Sequence, residues 1–136
     1  MAKESIETKS VWSEVSSEDG LRVLVTRFRG RGLSKDRYDL WLPSLGPSEE
    51  LLHGFLGGTI TWAGFSKEYQ QELWADGPVD DKNRTSKNHG QKGLLRLLRF
   101  VSRQQPVTLL CHCDEDEEHC HRHLLRKLLL SAKVTL

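Results

Sequence analysis

The sequence is 136 residues long and contains no apolar run near the roughly 20 residues needed to cross a bilayer, so it carries no candidate membrane span. Cysteine is scarce. The three present are an odd number confined to positions 111–120, which excludes a disulfide framework and favours a reducing, cytoplasmic setting. Proline is limited to four residues and aromatics to 7%, with no low-complexity tract, so collagen-like and Pro-rich linker classes are excluded. Neither sign of charge is in excess: 20 Lys+Arg face 19 Asp+Glu, which argues against a globally basic nucleic-acid binder while leaving local anion sites open. Residues 1–10 are polar and lack an apolar core, so no secretory signal is expected. What remains is a chain of 37% hydrophobic and 29% charged residues, of a length suited to a single domain over 1–136.

The near-zero net charge conceals blocks. Residues 39–79 sum to −5, residues 80–103 to +5 and residues 104–118 to −5. Blocks of this kind can simply face one another or water. Between them the hydrophobic pattern alternates in type. Leu21 to Phe28 and Val107 to Cys111 are apolar at their centres, as strands buried on both faces are. Ile6 to Val15 alternates weakly and is expected to pair with the first of these after a turn at Glu18-Asp-Gly20.

Ser48 is the expected cap of a helix whose apolar face is Leu51, Leu52, Phe55 and Leu56 and which Gly57-Gly58 ends. Ser66 is the expected cap of a second, carrying Phe65, Tyr69 and Leu73, with Gly77-Pro78 as its stop. Val79 to Gln91 reads as an exposed loop, Gly93 to Arg103 as an amphipathic helix, and Glu117 to Leu130 as the last helix. Val134 to Leu136 is a possible terminal strand.

This alternation predicts an α/β domain: a three-layer α/β/α sandwich on a largely parallel, Rossmann-like sheet. Ligands of such folds bind outside the carboxyl ends of the strands. That makes the loops Arg27 to Gly32 and Cys111 to Glu118 the places to look, and predicts that both lie at one end of the sheet. The strands around Val23 and Leu109 should be neighbours at its centre.

The chemistry concentrates in Cys111-His-Cys-Asp-Glu-Asp-Glu-Glu-His-Cys-His-Arg-His123, which holds all three cysteines and five consecutive acids. Two uses compete. Cys111, Cys113 and Cys120 with a histidine (His119 first, with His121 and His123 as other choices) form a Cys3His set of the kind that suits zinc. That use requires the three sulfurs to converge to about 4 Å of one another, since each Zn–S bond is about 2.3 Å.

The other use is the leading expectation: Cys120 at a helix start becomes a thiolate nucleophile with His121 as acid/base partner, and Arg122, Arg27 and Arg31, with Cys111 beside them, hold an anionic small molecule or nucleotide, a choice that three convergent sulfurs would overturn. Asp39 would orient Arg27 or Arg31, or serve in a structural Asp–Arg pair. The anion use needs only Cys120 and Arg122 to face the pocket. The plainer alternative is a structural or interaction protein, with Cys111 in the core and the histidines exposed. No Ser-His-Asp order, P-loop or dinucleotide fingerprint is present.

Several segments in order resemble one family. They are Asp19-Gly-Leu-Arg-Val-Leu-Val25, Arg27, Arg31-Gly32, Tyr38-Asp39, Trp41-Leu42, Leu45, Pro47-Ser48, Phe65, Tyr69, Glu72-Leu73, Val107-Thr-Leu-Leu110, Glu117-Glu-His119 and His121. Together they resemble domain of unknown function 488, in its YeaO-like branch. Cys111 and Cys120-His121-Arg122 match the wider family, with Cys113 where that family tends to have Glu. Thr26, Arg29 and Gly30 replace the branch's usual Asp, Trp and Pro. The resemblance implies a compact three-layer α/β domain of the prokaryotic cytoplasm with a polar site at one end of the sheet. It brings no established activity.

Overall fold

The structure is a computed structural model that describes residues 4–75 and 91–134. Four strands, β1 (Ile6–Ser10), β2 (Leu21–Leu24), β3 (Leu40–Trp41) and β4 (Val107–Cys111), form one sheet in the order β1-β4-β2-β3. Every pair is parallel. Val23 sits opposite Leu109, so β2 and β4 are the central neighbours that their apolar centres predict. Both side chains are fully buried.

One expected pairing changes. β1 joins β4, not β2. A hairpin to β2 would require antiparallel strands and a short turn. Residues 11–20 instead carry the chain back along the sheet, so β1 and β2 run the same way on either side of β4.

Four helices follow: α1 (Glu49–Leu56), α2 (Trp62–Leu73), α3 (Lys92–Ser102) and α4 (His121–Leu129). Their buried residues, Leu51, Phe65, Tyr69, Leu73, Leu95, Leu98 and Leu125 among them, join Val23, Val25, Val107 and Leu109 in the main core. The strand's two-residue period sends Leu24 and Leu110 to the other face. There they meet Val11 and Leu33, with Tyr38 and Trp41 packed against them. The architecture is thus an α/β sandwich on a wholly parallel sheet. Its second covering layer is the 28–38 segment with a single 3-10 turn over Lys35–Arg37, because that glycine-containing stretch lacks a helical apolar period.

Local signals decide the helix ends. Ser48 caps α1 as expected, its Oγ accepting the Leu51 amide. α2 starts earlier than Ser66: Thr61 Oγ1 accepts the Gly64 amide, and Ser66 lies inside the helix, donating to the Trp62 carbonyl. The helix begins there because Trp62 stacks on Phe65 within its first turn. α4 starts at His121, not Glu117. Arg122 Nη2 takes the Asp114 and Glu115 carbonyls, so the backbone of the acidic run is held outside the helix. The stop at Gly77-Pro78 and nearly all of the 79–91 loop lie outside the described residues, as do the last two residues of the expected terminal strand.

Candidate metal centre

β4 ends at Cys111, on the face of the sheet that carries α1 to α4. Two residues on, after the chain bends at His112, Cys113 joins Cys111 in the same sulfur cluster. The acidic loop then delivers Cys120, the N-cap residue of α4, back onto the strand end. The three sulfurs lie within 4.8 Å of one another, and Cys111 Sγ and Cys120 Sγ are 2.7 Å apart. Cys111 and Cys120 are fully buried, while Cys113 is half-buried. All three are free thiols. The edge of a tetrahedron with about 2.3 Å metal–sulfur bonds is about 3.8 Å; Cys111 and Cys120 stand closer than that, and all three sulfurs lie within 4.8 Å. These three cysteines could hold a metal ion.

The cluster shares protons unequally. Hydrogen bonds from Cys111 and Cys120 hold the Cys113 thiol far below the ordinary thiol range. The bond to Cys113 pushes Cys111 up, and the bonds to Cys111 and Cys113 push Cys120 up.

Arg122 is completely buried beside it. Its Nη1 donates to Cys111 Sγ at 3.0 Å, and Nη2 donates to the Asp114 and Glu115 carbonyls at 3.1 and 2.9 Å. Its Nε has no hydrogen-bond partner among the described residues. His121 is buried as well. Its Nε2–H donates to the Val25 carbonyl at 2.7 Å, and its ring meets Tyr69 edge-on. Burial holds its pKa below the ordinary value, so it is neutral, with the proton on Nε2 and a lone pair on Nδ1.

A cavity of about 230 Å³ opens at the carboxyl ends of β2 and β4. The buried Cys111 and His121 and the half-buried Cys113 form its floor, Phe28, Pro47, Leu52 and Leu56 stand in its walls, and nearly all of its accessible lining is apolar. The two expected loops do share this end. Gly30, at φ +90°, approaches so closely that a Cβ there would stand 2.8 Å from the His112 ring. The His112 ring nitrogen Nε2 is 3.3 Å from the Phe28 carbonyl.

The remaining sequence candidates are placed differently. Arg27 lines the cavity but is 1% exposed, and it donates to the Pro47 and Gly46 carbonyls. Arg31 is exposed on the same loop. Asp39 lies at the opposite end of the sheet, just before β3, and pairs with Arg22 rather than Arg27 or Arg31. The strands are parallel, so a residue at the entrance of β3 cannot reach their exits. His119 is exposed and stacks on Trp62 at 4.7 Å, apart from the three sulfurs.

Phe28, Leu52, Leu56 and Tyr69 were not singled out for the site. For Leu52 and Leu56 the signal was their i, i+4 spacing on α1, which reads equally well as core.

No solved structure matches the chain. The protein named "Uncharacterized protein YeaO" from Escherichia coli (strain K12) is 32% identical over 108 residues, 78% of this chain and 81% of that one. "Uncharacterized protein Rv3073c" from Mycobacterium tuberculosis is 34% identical over 65 residues, 46% of this chain, and that match spans only 55% of its length. Residues 6–133 match the family described as "Active DUF488-N3 subclade", so the chain belongs to that subclade of the domain of unknown function 488 family, among the relatives of YeaO.

Proposed function

We propose that the protein binds one thiophilic divalent cation, zinc in the first instance, through Cys111, Cys113 and Cys120, with a coordination position left open toward the cavity. The convergence of three sulfurs from two separate segments carries this reading. Three thiolates around a dication leave a net charge of −1, and Arg122 is the buried countercharge hydrogen-bonded to Cys111 Sγ. Among the described residues no fourth Cys, His, Asp or Glu joins the group. Three protein ligands with an open position are the pattern of catalytic rather than structural zinc sites. The word "active" in the family description suits such a centre.

A bound ion would supply Lewis acidity at the cavity floor. The chain's own residues prepare that floor: Val25 fixes the His121 tautomer, and the neutral imidazole is available to accept a proton from a bound molecule. A reducing cytoplasm would keep the thiols in the state this reading needs. The alternative ligand, an anionic small molecule or nucleotide, is served less well, because the buried Arg27 and Arg122 already donate to main-chain carbonyls.

The test is elemental analysis of untagged protein purified with reductant and without chelator. About one equivalent of zinc per chain is expected, lost on Cys113→Ser. A wild-type protein that stays metal-free after incubation with zinc would overturn the proposal.

A further inference from the structure

The geometry points to the class of molecule that this site takes: a single-ring thiol with an uncharged arm, whose sulfur takes the open coordination position as its S–H proton leaves to solvent. This rests on the metal reading above.

Size comes first. A cavity of about 150 Å³ admits benzene. The 230 Å³ here therefore holds one ring with a short arm. Polarity comes second. The polar side chains of the wall already spend donors on the protein's own backbone. Thr26 Oγ1 donates to the Phe28 carbonyl at 2.6 Å, Arg27 Nε to Pro47 at 3.1 Å, and His121 Nε2 to Val25 at 2.7 Å. A charged or heavily hydroxylated molecule would lose its water there and recover few hydrogen bonds.

Charge comes third. A tris-thiolate site holding a dication carries −1, and the incoming sulfur, once its proton has left, adds one more negative charge, so a second anionic group on the ligand's arm is repelled in a poorly hydrated cavity. The mouth agrees with the walls. Phe28 and Leu56 line the cavity and yet remain 44% and 72% exposed. Apolar side chains left in water at a cavity entrance gain contact when a ring covers them. The polar end of the molecule then has one place to go, the sulfur-lined floor.

The experiment uses the full chain loaded with cobalt(II), whose thiolate charge-transfer and ligand-field bands report the coordination sphere. Two thiols are titrated: benzyl mercaptan and 2-mercaptoethanesulfonate, which offer the same donor on an apolar and an anionic arm. Benzyl mercaptan should shift the bands with a Kd lower by about tenfold or more, the effect of burying a ring. Leu56→Arg, at an exposed position, should raise the benzyl mercaptan Kd by about tenfold; its ligand-free spectrum reports that the cobalt site is still built. Equal or tighter binding of the sulfonate, or an unchanged Kd in Leu56→Arg, would overturn the assignment. If no cobalt–thiolate spectrum develops at all, the metal reading falls and takes this one with it. If the spectrum develops but neither thiol perturbs it, only this inference falls.

Discussion

Arg122 Nη1 donates to Cys111 Sγ across 3.0 Å, and neither residue is exposed. The same guanidinium holds the carbonyls of Asp114 and Glu115, so one side chain both faces the sulfur cluster and shapes the loop that returns Cys120 to it. A buried charge of this kind cannot be removed without leaving its partners bare. Arg122→Gln should destabilise the fold by about 3–5 kcal/mol, read from urea denaturation. In the metal reading it should also weaken zinc binding by about 10- to 100-fold in a chelator competition, as the loss of an outer-shell partner does. An unchanged denaturation midpoint would mean that this contact contributes nothing.

Tyr69 supports the site from beneath. It is fully buried, its hydroxyl donates to the Leu45 carbonyl, and its ring meets His121. Burial drives its pKa well above the ordinary phenol value, so the hydroxyl stays a donor at any working pH. Tyr69→Phe leaves the Leu45 carbonyl without that donor and should cost about 1–2 kcal/mol in chemical denaturation. Metal content should be unaffected, because the ring remains.

Gly46 and Gly32 separate two reasons for glycine. A Cβ at Gly46 would stand 2.4 Å from the Arg27 backbone nitrogen, and neither backbone segment has a flexible end that can give way. Gly46→Ala should cost about 1–3 kcal/mol and disturb the cavity, since Arg27 lines it. Gly32 has φ +74° but open space around it. Gly32→Ala should cost only about 1 kcal/mol, the strain of a left-handed backbone. Differential scanning fluorimetry of the two variants should rank them in that order.

Asp39 provides a pH test far from the sulfurs. The hydrogen bond from Arg22 holds its carboxyl below the ordinary aspartate range. A depressed carboxylate contributes stability above its unfolded pKa of about 3.9 and loses it as pH falls through the folded value. The pair is partly exposed, its Asp39 side chain at 40%, so its worth is at most about 1 kcal/mol. Wild type should exceed Asp39→Asn by up to that amount at pH 6, and the gap should begin to shrink below pH of about 3.9 and close as pH falls through the lower folded value, read by pH-dependent denaturation. Zinc stoichiometry should be the same in both, because Asp39 sits at the opposite end of the sheet.

The sequence by itself determined the two central strands, the four helices to within a few residues and most of the core they fill, but not the short β3 strand or the non-helical second layer. Apolar runs at Val23 and Leu109 specify central parallel strands. The Ser48 cap specifies α1, and the Phe65–Tyr69–Leu73 stripe specifies the buried face of α2. These are local signals, set by helix and strand periods and by the unpaired amides of a helix end. The cluster at 111–123 was also legible as a concentration of ligating side chains, because three cysteines and four histidines fall within 13 residues.

Only the tertiary structure decided which of those groups meet. The spacing Cys-x-Cys and a third Cys after six residues permits convergence or dispersal; the return of the loop, held by Arg122, brings the three sulfurs together and leaves His119 on Trp62. Asp39 looked close to the basic loop in sequence, but a parallel strand separates its ends by its whole length, and Asp39 stands at the entrance while Arg27 follows the exit. Arg27 and Arg122 read as ligand-binding cations, yet burial turns both inward onto carbonyls. Periodicity records which side of an element faces the core; distances between residues far apart in the chain arise only when the elements pack.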